Sequence, residues 1–544
     1  PQTYATAGVL EDSGQKLEVV SLPRSFVPGE GELNVELSPS LAAALLSALD
    51  ALEKDQVFSN IDAVSYLVPH AVTYQTLQQL ELDYPLLEER LGEIITYTLD
   101  NLETTQNDDG GWGWWKGGGS SVEITSAVLM GLIRAQESGV FVDEVMLENA
   151  RGYLLAALPS TAMLTQDYQF DQLAFQYFAL SESGIQDLGG LSALAAEQSR
   201  MNPYGKAFLA LTLDQKNPGD STAVDLISDL QSAAVRTATG VHWENSESCR
   251  CGINSPTTTT ALVLYAVQVL DPDSTLIPDA VRYLVSARSE RGDWRSYYET
   301  GWAVLALNQV LVESGELESD YSYSARVNDT DLISGQTQGG EQLDAAAASI
   351  PLVDLYPEDP NALTIQHGEG EGNLYYTAHL KVSQPASEVE AFGRGISLSR
   401  LYLAPGVENQ SILTQEGQVG DLLQVQLTLT LEQDSYYLTL DDYFPAGAEV
   451  LDTRLKTTQQ VAPEFDSRAP FRGGWGWWYF LSPEVYDDHL SWSADYLPAG
   501  TYQINYTISL VHPGEYQVLP ARAAEVFFPE TQAVSAGDRF VIAE

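Results

Sequence analysis

Cysteine is nearly missing from this 544-residue chain: there are two, Cys249 and Cys251, both in "ESCRCGI". Two thiols do not make a four-ligand zinc site by themselves, and a disulfide across one intervening residue closes a very small, strained ring. Neither redox nor metal function is expected there, and no cofactor is expected elsewhere. Basic residues are also scarce, 26 Lys and Arg against 76 Asp and Glu. The resulting net charge of -50 argues against nucleic acid and anionic membrane surfaces as partners, because both are bound through basic patches. The acidity is spread along the chain rather than gathered in a tail, so it reads as a solvated surface. Long apolar runs are lacking too: no stretch reaches the eighteen or more residues that a membrane-spanning helix needs, so membrane insertion of this fragment is not expected. The chain opens at Pro1 within strand-like sequence, as expected of a fragment or mature segment. Asn328, Asn409 and Asn505 open N-x-S/T sequons, which matter only in a source that glycosylates secreted chains.

What is present is enough apolar sequence for several cores. A hydrophobic share of 44% over this length divides into about three or four domains. The first 36 residues read as β, with "KLEVVSL" and "ELNVEL" alternating apolar and polar positions around the turn-rich "PRSFVPGEG". The character then changes. In "SPSLAAALLSALDALE", Ser38 reads as an N-cap with Pro39 at the first helical position, and Leu41, Leu45, Ala48, Leu49 and Leu52 form one apolar face.

Helical patterns continue to about residue 313 and carry an internal repeat. A Gly/Asp/Trp loop precedes a helix rich in small and aliphatic residues: "NDDGGWGWW" before "TSAVLMGLIRA", "GVHWENSES" before "TTALVLYAVQVL", and "ERGDWRS" before "TGWAVLALNQVL". Helix pairs separated by such loops suggest an α/α toroid, a ring that buries its small-residue faces. The tryptophans read either as loop anchors or as an aromatic lining of a substrate cavity. Beyond residue 313 the period returns to two: Leu423, Val425, Leu427, Leu429 and Leu431 share one face, as do Tyr502, Ile504, Tyr506, Ile508 and Leu510. Turns such as "FPAGAE" and "LPAGTY" punctuate what reads as an antiparallel sandwich.

The order β, helical ring, β resembles the C-terminal portion of the alpha-2-macroglobulin family, specifically its bacterial branch. The stretches that carry the resemblance are "DGGWGWW", "GEGNLYYTAHL", "GRGISLSRLY" and "DYLPAGTYQINY" with "PGEYQVLPARAAEVFFPE"; together they cover essentially the full length. The resemblance implies a multidomain α and β chain. Residues 1–36 would be the first part of a CUB-like domain, 37–313 an inserted α/α toroid of thioester type, 314–400 the second part of the CUB-like domain, and 401–544 a macroglobulin-like antiparallel β-sandwich.

Family members that trap proteases covalently carry C-x-E-Q near the start of the toroid, where the Cys sulfur and the Gln carbonyl join in a thioester, activated because thiolate leaves readily. Aligned on Ser65 and Pro69, this chain has Ser59 at the Cys position, Ile61 at the Glu position and Asp62 at the Gln position. The run that precedes the motif is replaced by "DQVF", Asp55 to Phe58. A Met that shields the bond in bacterial members corresponds to Val526 in "AAEVFFPE". Ser59 and Asp62 therefore read as a degenerate thioester position. S-x-x-D ahead of an apolar helix also resembles a capping box, with Asp in place of Glu or Gln. An ester between the two is the chemical alternative, disfavoured because alkoxide leaves poorly and no activating His or Lys is adjacent; His70 is the nearest His by sequence.

The resemblance implies an endopeptidase inhibitor or protease trap acting without covalent capture, on endopeptidases, as a monomer in an extracytoplasmic, periplasmic or envelope-associated location. No catalytic residue is assigned. An enzyme using the ring cavity would need D-x-D-D, D-D-x-x-D or a zinc set, and the pairs Asp108–Asp109, Asp441–Asp442 and Asp487–Asp488 complete none of these. The remaining alternative is an envelope scaffold without inhibitory activity, with "GGWGWW" at Gly473 to Trp478, repeated from Gly110 to Trp115, supplying exposed anchors. Clustered Trp is rarely left exposed, so buried packing is the expectation for that loop.

Overall fold

The computed structural model describes the chain apart from residues 1, 12, 55–58, 186–187, 238, 246–254, 290, 315–318, 338–343, 406–410, 452–470, 472 and 527–530. Cys249, Cys251, Asn409 and the run Asp55 to Phe58 lie outside the described residues. The chain divides into two compact units, one of Thr3–Leu22 with Gly31–Lys381, the other of Pro1–Gln2, Pro23–Glu30 and Val382–Glu544.

In the first unit, strands from both ends of the segment pair with one another. Gly31–Ser38 lies between Leu374–Val382 and Ala346–Pro351, with Gln2–Leu10 on the other side of Leu374–Val382. Gly14–Val20 pairs antiparallel with Asn361–His367, followed in its sheet by Ser322–Val327 and Thr330–Gln336. The helices are thus inserted between strands of the same β-structure. Tyr321 holds the junction: its hydroxyl donates to the Pro39 carbonyl at 2.9 Å, and Arg288, almost fully buried, pairs with Glu36 at 3.1 Å.

Among the described residues the inserted helices are α1 (Leu41–Leu52), α2 (Asn60–Gln79), α3 (Pro85–Thr105), α4 (Val122–Glu137), α5 (Glu144–Ala156), α6 (Asp167–Glu182), α7 (Leu191–Ala195), α8 (Pro203–Lys216), α9 (Ser221–Ser232), α10 (Pro256–Leu270), α11 (Ile277–Ser286) and α12 (Tyr297–Ser314). The even-numbered helices pack in a closed cycle, α2 on α4, α4 on α6 and so on to α12, which returns to α2; α3, α5, α7, α9 and α11 each back onto an inner neighbour. Burial pattern separates the two layers. Residues Thr258 to Gln268 of α10 are all buried, a helix apolar or small on every side, whereas α9 buries only Ala223, Leu226, Ile227 and Leu230, one stripe at helical spacing. Close approach depends on small residues: a Cβ added to Gly131 of α4 would run into Val64 of α2. The cap of α1 is Ser40, not Ser38: Ser40 Oγ accepts from the Ala43 amide at 3.2 Å. Ser38 belongs to the preceding strand, because sheet pairing extends the chain two residues further than local sequence indicates.

The second unit holds a six-stranded sheet, a five-stranded sheet and a three-stranded sheet. Leu422–Leu431 and Gly500–Leu510 pair antiparallel at the centre of the five-stranded sheet, and every second residue of each is buried. Leu423, Val425, Leu427, Leu429, Leu431, Tyr502, Ile504, Tyr506, Ile508 and Leu510 all join one core. A polar group crosses it. Arg400 reaches Asp442 Oδ1 at 2.8 Å and Asp538 Oδ2 at 2.8 Å, and the Tyr506 hydroxyl donates to Asp442 Oδ2 at 2.6 Å.

Candidate functional site at the start of the second helix

Ser59 has extended backbone, φ -123° and ψ 165°, and stands immediately before α2. Its Oγ accepts from the Asp62 amide at 3.1 Å, and the Asp62 carboxylate accepts from the Ser59 amide at 3.2 Å. Both halves of a capping box are present. The hydroxyl itself donates to Asp62 Oδ2 at 2.7 Å, a hydrogen-bond distance. The Asp62 carboxylate, in the first turn, also meets the positive end of the helix dipole. Ile61 between them is buried in the ring.

Among the described residues the Ser59 hydroxyl is bonded to the Asp62 carboxylate, and His70 faces elsewhere. His70 is fully buried, with Nδ1 2.6 Å from the Tyr66 carbonyl and Nε2 3.5 Å from Glu53 Oε1. The sequence places His70 nearest by number, and the fold turns it toward Glu53. Among the described residues no group of three or more His, Cys, Asp or Glu is placed to hold a metal ion.

Asn60, which sequence reasoning passed over, fixes the site to the first Trp loop. Its amide donates to the Trp114 carbonyl at 2.9 Å and its side chain to the Gly113 carbonyl at 2.9 Å. An Asn just inside a helix start is unremarkable in sequence; only the loop it meets gives it a role.

The three Trp loops share one bonding scheme. Trp112, Trp243 and Trp294 are each at most 2% exposed. Their indole N–H groups donate to Leu102 of α3, Leu230 of α9 and Leu284 of α11 at 2.8, 2.6 and 2.9 Å. Their backbone amides donate to the hydroxyls of Thr125 in α4, Thr260 in α10 and Thr300 in α12 at 2.9, 3.1 and 3.1 Å. Each Trp therefore ties the carbonyl end of an outer helix to the first turn of the next inner one, a use of its single polar handle that permits full burial. These three are anchors, and the cavity-lining reading does not hold for them.

Acidic groups inside the ring were not legible from sequence. Asp171 of α6 is fully buried and accepts from the amide and side chain of Asn202, the residue before α8, at 2.9 and 2.7 Å; burial pushes its carboxyl up to about 7, the Asn202 bonds opposing. Glu123 of α4 keeps some surface exposure, yet loss of hydration pushes it up to about 7 as well, opposed by a bond from Gln172. Near the C-terminal ends of the inner helices lies a cavity of about 360 Å³ whose lining includes Gln75, Gln79, Arg134, Glu137, Tyr265 and Gln309. None of the Asp pairs weighed from sequence lines it. Asp109, the second of the first pair, holds the Trp112 loop by accepting from Ser120 Oγ at 2.6 Å and the Gly111 amide at 3.0 Å.

At the other end of the chain, Val526 is 49% exposed and donates its amide to the Tyr437 carbonyl at 2.9 Å. The second "GGWGWW" departs from expectation. Trp475 and Trp478 are 58% and 54% exposed, not buried. The reason is backbone docking: the Trp475 carbonyl accepts from Gln503 and the Gly473 carbonyl from Asn505, so the loop lies on the Gly500–Leu510 strand with the Trp475 and Trp478 rings exposed and Trp477 half-buried.

Fold and site can now be set beside known proteins. Residues 395–530 match the model of the bacterial alpha-2-macroglobulin MG10 domain, a match that begins where the sandwich strand Ile396–Pro405 begins. An alpha-2-macroglobulin homolog of Nostoc sp. is 22% identical over 554 aligned positions, which cover 96% of this chain and 27% of that protein. The structure of native Escherichia coli alpha-2-macroglobulin from domain MG7 to the C-terminus superposes with a TM-score of 0.67 at 18% identity, covering 100% of this chain and 82% of that one. Salmonella alpha-2-macroglobulin reacted with methylamine gives 0.65 at 17% identity, covering 100% of this chain and 34% of that one. The class of protein this chain is similar to is thus the alpha-2-macroglobulins. Within it, this chain is similar in sequence and fold to the C-terminal portion of the bacterial proteins, without the C-x-E-Q motif; it spans 27% of the length of the Nostoc relative.

Proposed function

We propose that this chain is the C-terminal part of an alpha-2-macroglobulin-like endopeptidase inhibitor that acts without a thioester, by conformational enclosure rather than covalent capture. In this reading residues 37–313 are an α/α toroid of thioester type inserted in a CUB-like domain formed by 1–36 and 314–400, and 401–544 is the closing macroglobulin-like sandwich. The pairing of early with late strands around a closed helical ring supports that division. The partners are endopeptidases, the protein is a monomer, and its location is extracytoplasmic, in the periplasm or envelope. No helix among the described residues is long and apolar enough to cross a membrane.

One observation carries the non-covalent part. The positions that the resemblance gives to the bond-forming Cys and Gln hold Ser59 and Asp62, joined by the hydrogen bonds of a helix cap. An ionised carboxylate resists nucleophilic attack, and an alkoxide is a poor leaving group, so the pair offers no activated acyl. Methylamine should leave the intact mass at the sequence value; a mass one water lower, which water restores to the sequence value or which methylamine raises by its own mass, would sink the non-covalent reading. The inhibitory part is tested on the complete parent protein mixed with a panel of endopeptidases and assayed on a small peptide and a large protein. Enclosure predicts that the peptide is still cut and the protein spared. If both are cut as by free protease, the reading fails.

A second reading, an envelope scaffold or partner-binding protein without inhibitory activity, is favoured by the exposure of Trp475 and Trp478. Loss of association with folding unchanged in Trp475→Ala and Trp477→Ala would support it.

A further inference from the structure

Two neighbouring inner helices change character together near their C-terminal ends. On α2 one stripe runs through the buried Val64 and Val68 and finishes at Val72, Gln75, Thr76 and Gln79; on α12 the corresponding stripe finishes at Leu305, Asn308, Gln309 and Val312. Both follow helical spacing, so each helix turns a face tipped with amides toward the same space. That space is the cavity of about 360 Å³, a size that holds a small ligand.

A polar beam bounds it. Arg134 of α4 donates to the Tyr265 hydroxyl of α10 at 3.2 Å, and those two helices stand three steps apart in the six-helix cycle, so the contact crosses the ring. Arg134 is already paired: one Nη meets Glu137 at 2.7 Å and the other meets Glu182 of α6, which also accepts from Gln215 of α8. Burial raises the Glu182 carboxyl above its ordinary value, with Arg134 opposing. The only charged residues lining the cavity are Arg134 and Glu137, and they bind each other. In a chain with 76 acidic residues, this wall offers no unpaired charge.

It offers neutral hydrogen bonds instead. Among the described residues the side-chain amides of Gln75, Gln79 and Gln309 have no hydrogen-bond partner, and Arg134 Nε is buried without an acceptor. An apolar guest would leave the buried group unpaired, and a charged guest would exchange hydration for a wall without a counter-charge. Each glutamine amide both donates and accepts, as does each hydroxyl of a polyol. The aliphatic Val72, Leu305 and Val312 suit the C–H faces of the same kind of molecule.

We propose that this cavity binds a neutral polyhydroxyl ligand of mono- or disaccharide size through Gln75, Gln79 and Gln309. The site lies wholly within the helical ring and does not depend on the inhibitory reading, because it is read by binding rather than by protease assay.

The test is saturation-transfer NMR titration of the full 544-residue chain with glucose, N-acetylglucosamine and maltose. Charged counterparts, glucosamine and glucuronate, and a capped alanine dipeptide serve as comparisons. At least one neutral sugar should bind, unaffected by salt, and more tightly than either charged sugar or the dipeptide. Gln75→Leu/Gln309→Leu, which keeps bulk but removes two amides, should weaken that binding at least about tenfold, with circular dichroism unchanged. The exposed Gln79→Ala, a milder change, should weaken it in the same direction. Gln78→Leu, on the same helix but outside the cavity lining, should leave it unaltered. Failure of all three neutral sugars to bind, equal binding of a charged sugar or of the dipeptide, or unaltered affinity in the double variant overturns the proposal. So does an equal loss in Gln78→Leu.

Discussion

The letters GGWGWW occur twice in this chain, at Gly110 to Trp115 and at Gly473 to Trp478, and the matched third residues have opposite fates. Trp112 is 0% exposed and Trp475 58%. In the first copy the loop joins two helices, so the Leu102 carbonyl near the end of α3 accepts from the Trp112 indole and the Thr125 hydroxyl at the start of α4 accepts from the Trp112 backbone amide. In the second copy the loop lies along a strand whose backbone bonds the loop backbone, and among the described residues the Trp475 ring packs against Tyr502 and Trp478 rather than at a helix end. The same hexapeptide is an anchor in one setting and a display in the other. The last residues, Trp115 and Trp478, are exposed in both, so the difference lies in the third position and what faces it.

Substitution at that position gives the largest separation. Trp112→Ala should cost about 3–5 kcal/mol of stability, the range for emptying a large buried site, while Trp475→Ala should stay within roughly 0.5 kcal/mol. Urea titration followed by circular dichroism measures both. Similar losses at the two positions would remove the contrast.

Two carboxylates sharpen it through pH. Asp171, deep in the ring, holds its proton up to about 7, whereas an unfolded Asp releases it near ~3.9. The folded state binds more protons across that window, so this group's contribution to stability is lost as pH rises from roughly 4 toward 7. Asp109, on the surface of the first Trp loop, is held below its ordinary value chiefly by Ser120. Its contribution is present above the unfolded value and lost as pH falls through the folded one. Asp171→Asn should therefore flatten the decline above pH 5 and Asp109→Asn should not; thermal melts across pH 3 to 8 decide.

Smaller effects test the bonding scheme itself. Thr125→Val, which leaves the buried Trp112 amide without its acceptor, should cost about 1–3 kcal/mol, and Thr260→Val and Thr300→Val should match it if the three loops are equivalent. Ser59→Ala removes a cap alone and should cost about 0.5–2 kcal/mol. A Ser59→Ala loss well above that range, in the same urea assay, would mean that Ser59 and Asp62 share more than a helix start.

Much of the fold was legible. Period-two burial in Leu422–Leu431 and Gly500–Leu510 could be read because one face of each strand meets the core and the other solvent. The helical segment could be read to within a residue of its end at Ser314. The capping box at Ser59 was visible because its partners are three residues apart. What was not visible involved distant partners: Asn60 with the Trp114 loop, and Asp171 with Asn202 across two helices. A polar residue on an inner helix has the same letter whether it faces water or the ring axis.

The sequence by itself determined the kinds of element, their order, the one-signed charge and the lack of a thiol and an amide at Ser59 and Asp62, because each of these depends on composition or on neighbours within a turn. Only the tertiary structure decided that the inner helices close into a cycle, that Ser40 rather than Ser38 begins the first of them, and that one GGWGWW hides its tryptophan while the other exposes it. Those outcomes depend on which unpaired backbone groups arrive opposite a side chain, and the arrival is settled by packing between segments far apart in the chain.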